Sequence, residues 1–265
     1  MTQTSSRWPA PCVNRLMIFV AIATLLAVHM DRCLADEVNT GNDAGNQQNF
    51  SSFARGENRL PNPIHSKEWQ QWFPEEQCWF DVKQKVVIVD GQICQRKALL
   101  EMFACPAGTK DHESIVAVNC RAATIHAYLL AIGAQAGSPV RYEPEYAPAT
   151  GTEIEIFVYW TDEEGTDHHC NAQQLVRNVK TGEAIKSPWV FAGSRFWKDK
   201  DGKEHYLAES GDLICVSNFP TATLDLPVRS SQANEELLYE PFTERIPPRK
   251  TKTRLVLKPK WNPAN

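Results

Sequence analysis

Leu100-Glu-Met-Phe-Ala-Cys-Pro-Ala-Gly-Thr-Lys-Asp-His-Glu-Ser-Ile-Val-Ala-Val118 sets a polar bend between two apolar runs. The runs Leu99 to Ala104 and Ile115 to Val118 read as strands. The bend between them carries Cys105, a Pro-Ala-Gly turn, Lys110, His112, Glu113 and Ser114. Side chains alternate along a strand, so a strand starting near His112 puts His112 and Ser114 on one face. Glu113 then points to the other face with Ile115 and Ala117. Lys110 shares the His112 side, and a Lys-His-Ser surface is the expected constellation. Polar groups held between two buried strands mark a place for binding, because loops on a rigid scaffold carry function.

Outward from this stretch the pattern is mainly short strands. Trp79 to Val82 and Val86 to Val89 form a hairpin signal closed by Asp90-Gly91, and Glu153 to Trp160 alternates and ends at the turn Asp162 to Gly165. Trp189 to Phe196, His205 to Ala208, Leu213 to Ser217 and Leu255 to Leu257 complete the strands. A short helix is expected over Ser66 to Phe73, with Trp69, Trp72 and Phe73 on one face. The main helix is Arg121 to Ile132, with Asn119 as its N-cap and Gly133 at the left-handed position that ends it. The fold class is therefore α+β, a predominantly antiparallel β-sheet with one main α-helix packed on it.

Residues 1–35 read as a signal peptide. Arg7 and Arg15 make the positive start, Leu16 to Val28 the apolar region, and Cys33-Leu-Ala35 the cleavage site. Residues 36–60 are rich in Asn, Gly, Gln and Ser and read as a disordered tether, which leaves 61–265 as a single β-rich domain. Export predicts a periplasmic or secreted protein with no transmembrane anchor after cleavage. The formal net charge is −4, which gives no electrostatic footprint for nucleic acid.

Six cysteines follow the leader: Cys78, Cys94, Cys105, Cys120, Cys170 and Cys215. In an oxidising compartment Cys94 with Cys105, which flank one strand connection, is the preferred disulfide; Cys120 and Cys215 read equally well as buried thiols. His126 lies beside the helix stripe. A core histidine bonded to a carbonyl is one reading, and a metal site built from His112, His126, Cys105 and Glu113 is the other. No Cys-x-x-Cys, haem-attachment or ferredoxin cysteine run is present, so no iron–sulfur or haem cofactor is expected. No metalloprotease or nucleophile-elbow motif occurs either. Asp199-Lys-Asp-Gly202 reads as a hairpin turn. The basic run 245–260 reads as a lysine-protected edge strand, or as a contact for an anionic envelope polymer. Trp160, Trp189 and Trp197 are candidates for a binding face or for core and hairpin packing.

These residues are familiar as a set. Leu100-Glu101, Phe103-Ala-Cys105, Gly108-Thr-Lys110, His112-Glu-Ser114 and Ile125-His-Ala127 resemble the YdjY-domain family of bacterial proteins. So do Trp189-Val-Phe-Ala-Gly-Ser194, Leu213 to Phe219, Leu224-Asp-Leu-Pro227 and Ile246-Pro-Pro248. The likeness runs from about Trp79 to Leu257. It implies a domain type rather than an activity, with Lys110, His112, Glu113, Ser114 and His126 as its common element. Iron–sulfur features attached to some relatives do not transfer, because the cysteine spacing is missing. The expectation is an exported, non-catalytic binding or structural module of the envelope. The alternative is a metal-binding or redox-linked protein using the His/Glu/Cys cluster.

Overall fold

The chain is described from a computed structural model covering residues 60–61, 68–229 and 238–261. The leader, and the tether as far as Arg59, lie outside the described residues. Among those described, no helix is long and apolar enough to cross a membrane.

The strands in chain order are β1 (Cys78–Asp81), β2 (Val86–Ile93), β3 (Met102–Pro106), β4 (Ser114–Val118), β5 (Glu153–Thr161), β6 (Asp167–Asn171) and β7 (Val176–Asn178). They continue as β8 (Trp189–Phe191), β9 (Phe196–Lys198), β10 (Glu204–Tyr206), β11 (Ile214–Cys215), β12 (Leu224–Asp225), β13 (Tyr239–Pro241) and β14 (Lys252–Pro259). The helix α1 spans Ala122–Ala131.

The β-rich class with one α-helix holds, but the open sheet does not. The order β2-β14-β5-β8-β12-β11-β3-β4 returns to β2, because β4 pairs with Gly91 to Ile93, so these eight strands close a barrel. Most pairings are antiparallel; β3 with β4 and β11 with β12 are parallel. Closure removes the unpaired edges that an open sheet would expose. Two strands extend the wall, β1 on the first half of β2 and β6 on the outer half of β5.

Register identifies the two faces. Val87 and Val89 pair with Leu257 and Leu255, which pair in turn with Ile156 and Val158. All six are sealed from solvent, and with Trp189 and Phe103, whose rings meet at 5.4 Å, they fill the interior. Trp189 also donates its indole N–H to the Cys215 carbonyl at 2.7 Å. It is a core residue, not part of a binding face. On the outside Val86, Ile88 and Val256 are covered by Trp69, Trp79, Phe157 and Tyr159.

Other local expectations change for the same reason. Residues 68–73 are not helical: Gln70 bridges Phe80, and Trp72 packs edge-on against Phe80 and Tyr128. Here tertiary burial outweighs a helical spacing. β14 is not an edge, since β2 and β5 flank it on both sides. Its Arg254 forks onto Asp90 at 2.6 and 2.8 Å and lies over the Trp69 ring. Lys260 faces Glu153 and Glu155, so much of the basic run is matched within the fold.

The helix packs on β1, β2 and the turn Leu207–Ser210. It is buried on most of its circumference, Tyr128 included, which exceeds the single stripe that its sequence suggested. Gly133 ends it at φ +93°, as expected. Its start is different, because Asn119 does not cap it.

Candidate functional site

Arg121 stands at the N-cap of α1, and the first free N–H groups of the helix are taken by a carboxylate distant in the chain. Ala122 N donates to Glu209 Oε2 at 3.2 Å and Ala123 N to Glu209 Oε1 at 2.8 Å. A second carboxylate, Glu76, accepts from Arg121 N and Arg121 Nε. Negative charge belongs at a helix N-terminus, where the peptide dipoles leave a partial positive charge. Burial raises the Glu209 pKa, and the two helix N–H bonds oppose that shift.

Glu209 sits in a strap, Tyr206-Leu-Ala-Glu-Ser-Gly-Asp212, that follows β10. The same strap serves the other polar elements. At one end the Tyr206 hydroxyl and His126 Nδ1 share a hydrogen bond of 2.8 Å. That hydroxyl also lies 3.0 Å from Thr223 Oγ1 and 3.3 Å from the Gly193 carbonyl oxygen. Phe191, Phe196 and Tyr206 surround the imidazole edge-on. Burial lowers the His126 pKa to about 4 and raises that of Tyr206, so both are neutral at pH 7. Gly193 permits the close approach. At φ +87° it lies where a Cβ would meet Ala136 at 2.8 Å.

At the other end Asp212 Oδ1 meets Lys110 Nζ at 3.1 Å, and Glu101 Oε2 meets the same nitrogen at 3.1 Å. The ammonium lies 4.4 Å from the centre of the Phe219 ring. Gly211 lets the lysine stem pass, since a Cβ there would come within 2.6 Å of Lys110 Cγ. Thr221 and Ser210 hydroxyls donate to Asp212 Oδ2. Burial would lower the Lys110 pKa, but Asp212 and Glu101 outweigh it and raise it. Burial and the neighbouring Glu113 raise Glu101. The lysine is a fixed cation, not a base.

The predicted site residues are thus divided. Residues Asp111–Glu113 form a 3-10 turn and the strand starts only at Ser114, so the face-alternation argument fails at the bend. His112 and Glu113 do not diverge. They pair at 3.1 Å, with the imidazole largely in solvent. Ser114 is buried and donates its hydroxyl to the Lys110 carbonyl at 2.8 Å. His126 belongs to the Tyr206 end. The bend and the helix are held by one strap rather than joined into one pocket. Among the described residues no three of His, Cys, Asp and Glu are placed to share a metal, so the proposed ligands His112, His126, Cys105 and Glu113 are not gathered. Cys94 and Cys105 are both free thiols; Cys94 Sγ donates to the Ser114 carbonyl at 3.0 Å, and Cys105 Sγ lies 3.5 Å from Asp111 Oδ1.

A family model, that of the YdjY domain, matches residues 78–258. The chain belongs to this family. No curated protein and no solved structure matches it. The strap, the Lys110 bend and α1 all lie inside the YdjY domain.

Two further features escaped the sequence reading. Asp225 is wholly buried. Its Oδ1 accepts from Leu226 N and Asn218 Nδ2, while Oδ2 has no partner among the described residues. Burial pushes its pKa well up, against the hydrogen bonds from Asn218 and Leu226. No periodicity reveals such a residue. The second feature was legible. Trp160-Thr-Asp-Glu-Glu-Gly-Thr-Asp-His168 and Trp197-Lys-Asp-Lys-Asp-Gly-Lys-Glu-His205 share the spacing Trp-x-Asp-x-x-Gly-x-x-His. Both are hairpins of one construction. The Trp stacks on the His across the strands at 5.3 and 5.0 Å. The Asp carboxylate contacts the His Nε2 at 2.6 and 2.7 Å, and the glycines stand at φ +83° and +82°. The His in each case lowers the Asp pKa.

Proposed function

We propose that this YdjY-domain chain is an exported, non-catalytic binding or structural module of the bacterial envelope. One observation carries the non-catalytic part: the groups nominated for chemistry have internal partners. Lys110 is held by Glu101 and Asp212, Ser114 by a main-chain carbonyl, and His126 by Tyr206. A nucleophile needs an adjacent free base, and none of these has one. The recognition elements are the paired hairpins. Phe196 and Trp197 on the β9–β10 hairpin are each 47% exposed, and that hairpin forms its own two-stranded sheet outside the barrel.

The test is expression of the full chain in a bacterium, followed by fractionation and N-terminal sequencing. The expected product begins at Asp36 and is found outside the cytoplasm. Retention of an unprocessed chain in the cytosol would sink the export half. For the binding half, the purified protein is mixed with isolated envelope fragments and pelleted with them. Co-sedimentation that falls on Trp197→Ala supports the hairpin surface, whereas equal sedimentation of both proteins removes it.

A further inference from the structure

β1 and β4 meet end to end along one edge of β2. β1 covers that edge from Val86 to Val89, and β4 covers it from Gly91 to Ile93. At the junction Asp90 N donates to the Gln77 carbonyl, Asn119 N to the Asp90 carbonyl, and Gln77 N to the Asn119 carbonyl at 2.9 Å. This knot brings together two segments forty-two residues apart in the chain. Cys78 follows Gln77 and Cys120 follows Asn119. Cys120 Sγ donates to the Arg121 carbonyl at 3.2 Å, and Cys78 and Cys120 each perturb the other's pKa as neighbouring side chains do. Cys78 is sealed, and Cys120 lines a cleft of about 350 Å³ with Glu76, Pro106, Ala107, Val118 and Arg121.

We propose that Cys78 and Cys120 are a redox-active dithiol that closes to a disulfide when a small disulfide oxidant enters this cleft. The Cys120 thiolate attacks one sulfur of the oxidant, making a mixed disulfide and releasing one thiol. The Cys78 sulfur then attacks Cys120 Sγ. The Cys78–Cys120 bond forms, the mixed disulfide breaks, and the second thiol leaves. Both cysteine protons end on the released thiols; the two cysteines are oxidised and the oxidant is reduced. High thiol pKa values from burial at both sulfurs make attack slow at neutral pH and faster in alkali. The bond would tie β1, which extends the barrel wall, to the entry of α1, where Glu76 and Arg121 already pair.

The pairing differs from the Cys94–Cys105 bridge that the sequence suggested. The inference does not rest on export, because the oxidant is supplied in the test. The full chain, reduced and then equilibrated with oxidised glutathione, is alkylated and digested for mass spectrometry. A Cys78–Cys120 linked peptide is expected, appearing faster at pH 9 than at pH 7, with a rise in melting temperature that reductant reverses. Cys78→Ser and Cys120→Ser should each abolish the rise, while Cys94→Ser retains it. Wild-type mapping decides the matter even if a serine variant fails to fold. Alkylation of both Cys78 and Cys120 after oxidation, or a link from either to another cysteine, overturns the proposal.

Discussion

The two ends of the strap Tyr206–Asp212 are both polar, yet they are built on opposite electrostatic principles. At Asp212 full charges meet: Lys110, which reaches solvent in part, with Glu101 and the buried Asp212. At Tyr206 the groups are sealed, and His126 survives there only by giving up its proton. Burial costs an ion far more than it costs a neutral dipole with its hydrogen bonds made. Partners decide which solution each end adopts: Asp212 has an ammonium beside it, whereas His126 has the Tyr206 hydroxyl. The contrast teaches that neighbouring histidines on a sequence, His112 and His126, need not share a chemistry. One is a solvated partner of Glu113, and the other is a neutral core group.

The sharpest way to test this contrast is to cut the buried end. Tyr206→Ala should lower unfolding free energy by about 3–5 kcal/mol, as large buried aromatics do. Tyr206→Phe keeps the ring but orphans His126 and Thr223, at about 1–3 kcal/mol. Denaturant midpoints separate the two, and an unaffected Tyr206→Phe would show that the hydroxyl network contributes little.

Acid probes the same end through its proton. His126 is depressed from 6.5 to about 4, so the unfolded chain binds a proton that the folded one refuses. Stability is full above pH 6.5 and falls as pH drops toward 4, by up to about 3 kcal/mol. The raised carboxylates Asp90, Glu101, Glu209 and Asp225 act with the opposite sign, favouring the fold at low pH. The useful quantity is thus the difference between wild type and His126→Gln. It should shrink from pH 7 to pH 4; a constant difference would mean that His126 is not the proton-linked group.

The charged end should respond less and depend on salt, because Lys110 reaches solvent. Lys110→Met leaves Glu101 and Asp212 without their cation and should cost about 1–2 kcal/mol. The loss should diminish as sodium chloride is raised, because partly exposed charges are screened. At Tyr206 salt should make no difference. Between the two ends, Glu209→Gln tests the helix cap, at about 0.5–2 kcal/mol, read as a lower melting temperature and reduced helical circular dichroism. Smallest of all, His168→Ala and His205→Ala should leave the melting temperature unchanged. Their effect should show instead in tryptophan fluorescence, as Trp160 and Trp197 lose their stacked rings.

Much of the fold was legible residue by residue. A hairpin signal marked β1 and β2, alternation marked β5, the Asp199 to Gly202 turn is a hairpin, and Gly133 closes the helix. β12 has two residues, too few for any period to register. The helix expected over 66–73 is absent from its described part, 68–73, because Trp69 and Trp72 satisfy a helical spacing and a barrel wall equally well. The site was half visible. Lys110, Glu113, Ser114 and His126 were singled out, but their partners Glu101, Asp212 and Tyr206 come from elsewhere in the chain. The Trp-x-Asp-x-x-Gly-x-x-His spacing could have been found by comparing two hairpins directly.

What the amino-acid order determined alone is local: which stretches alternate, where glycine must turn the chain, where the helix ends, and which family motifs are present. Those properties follow from backbone sterics and side-chain periodicity within a few residues. Tertiary structure alone decided that the sheet closes, that β14 sits within the wall, and that one strap serves His126, the helix and Lys110. Such outcomes depend on groups distant in sequence becoming neighbours, where burial and charge balance are settled together.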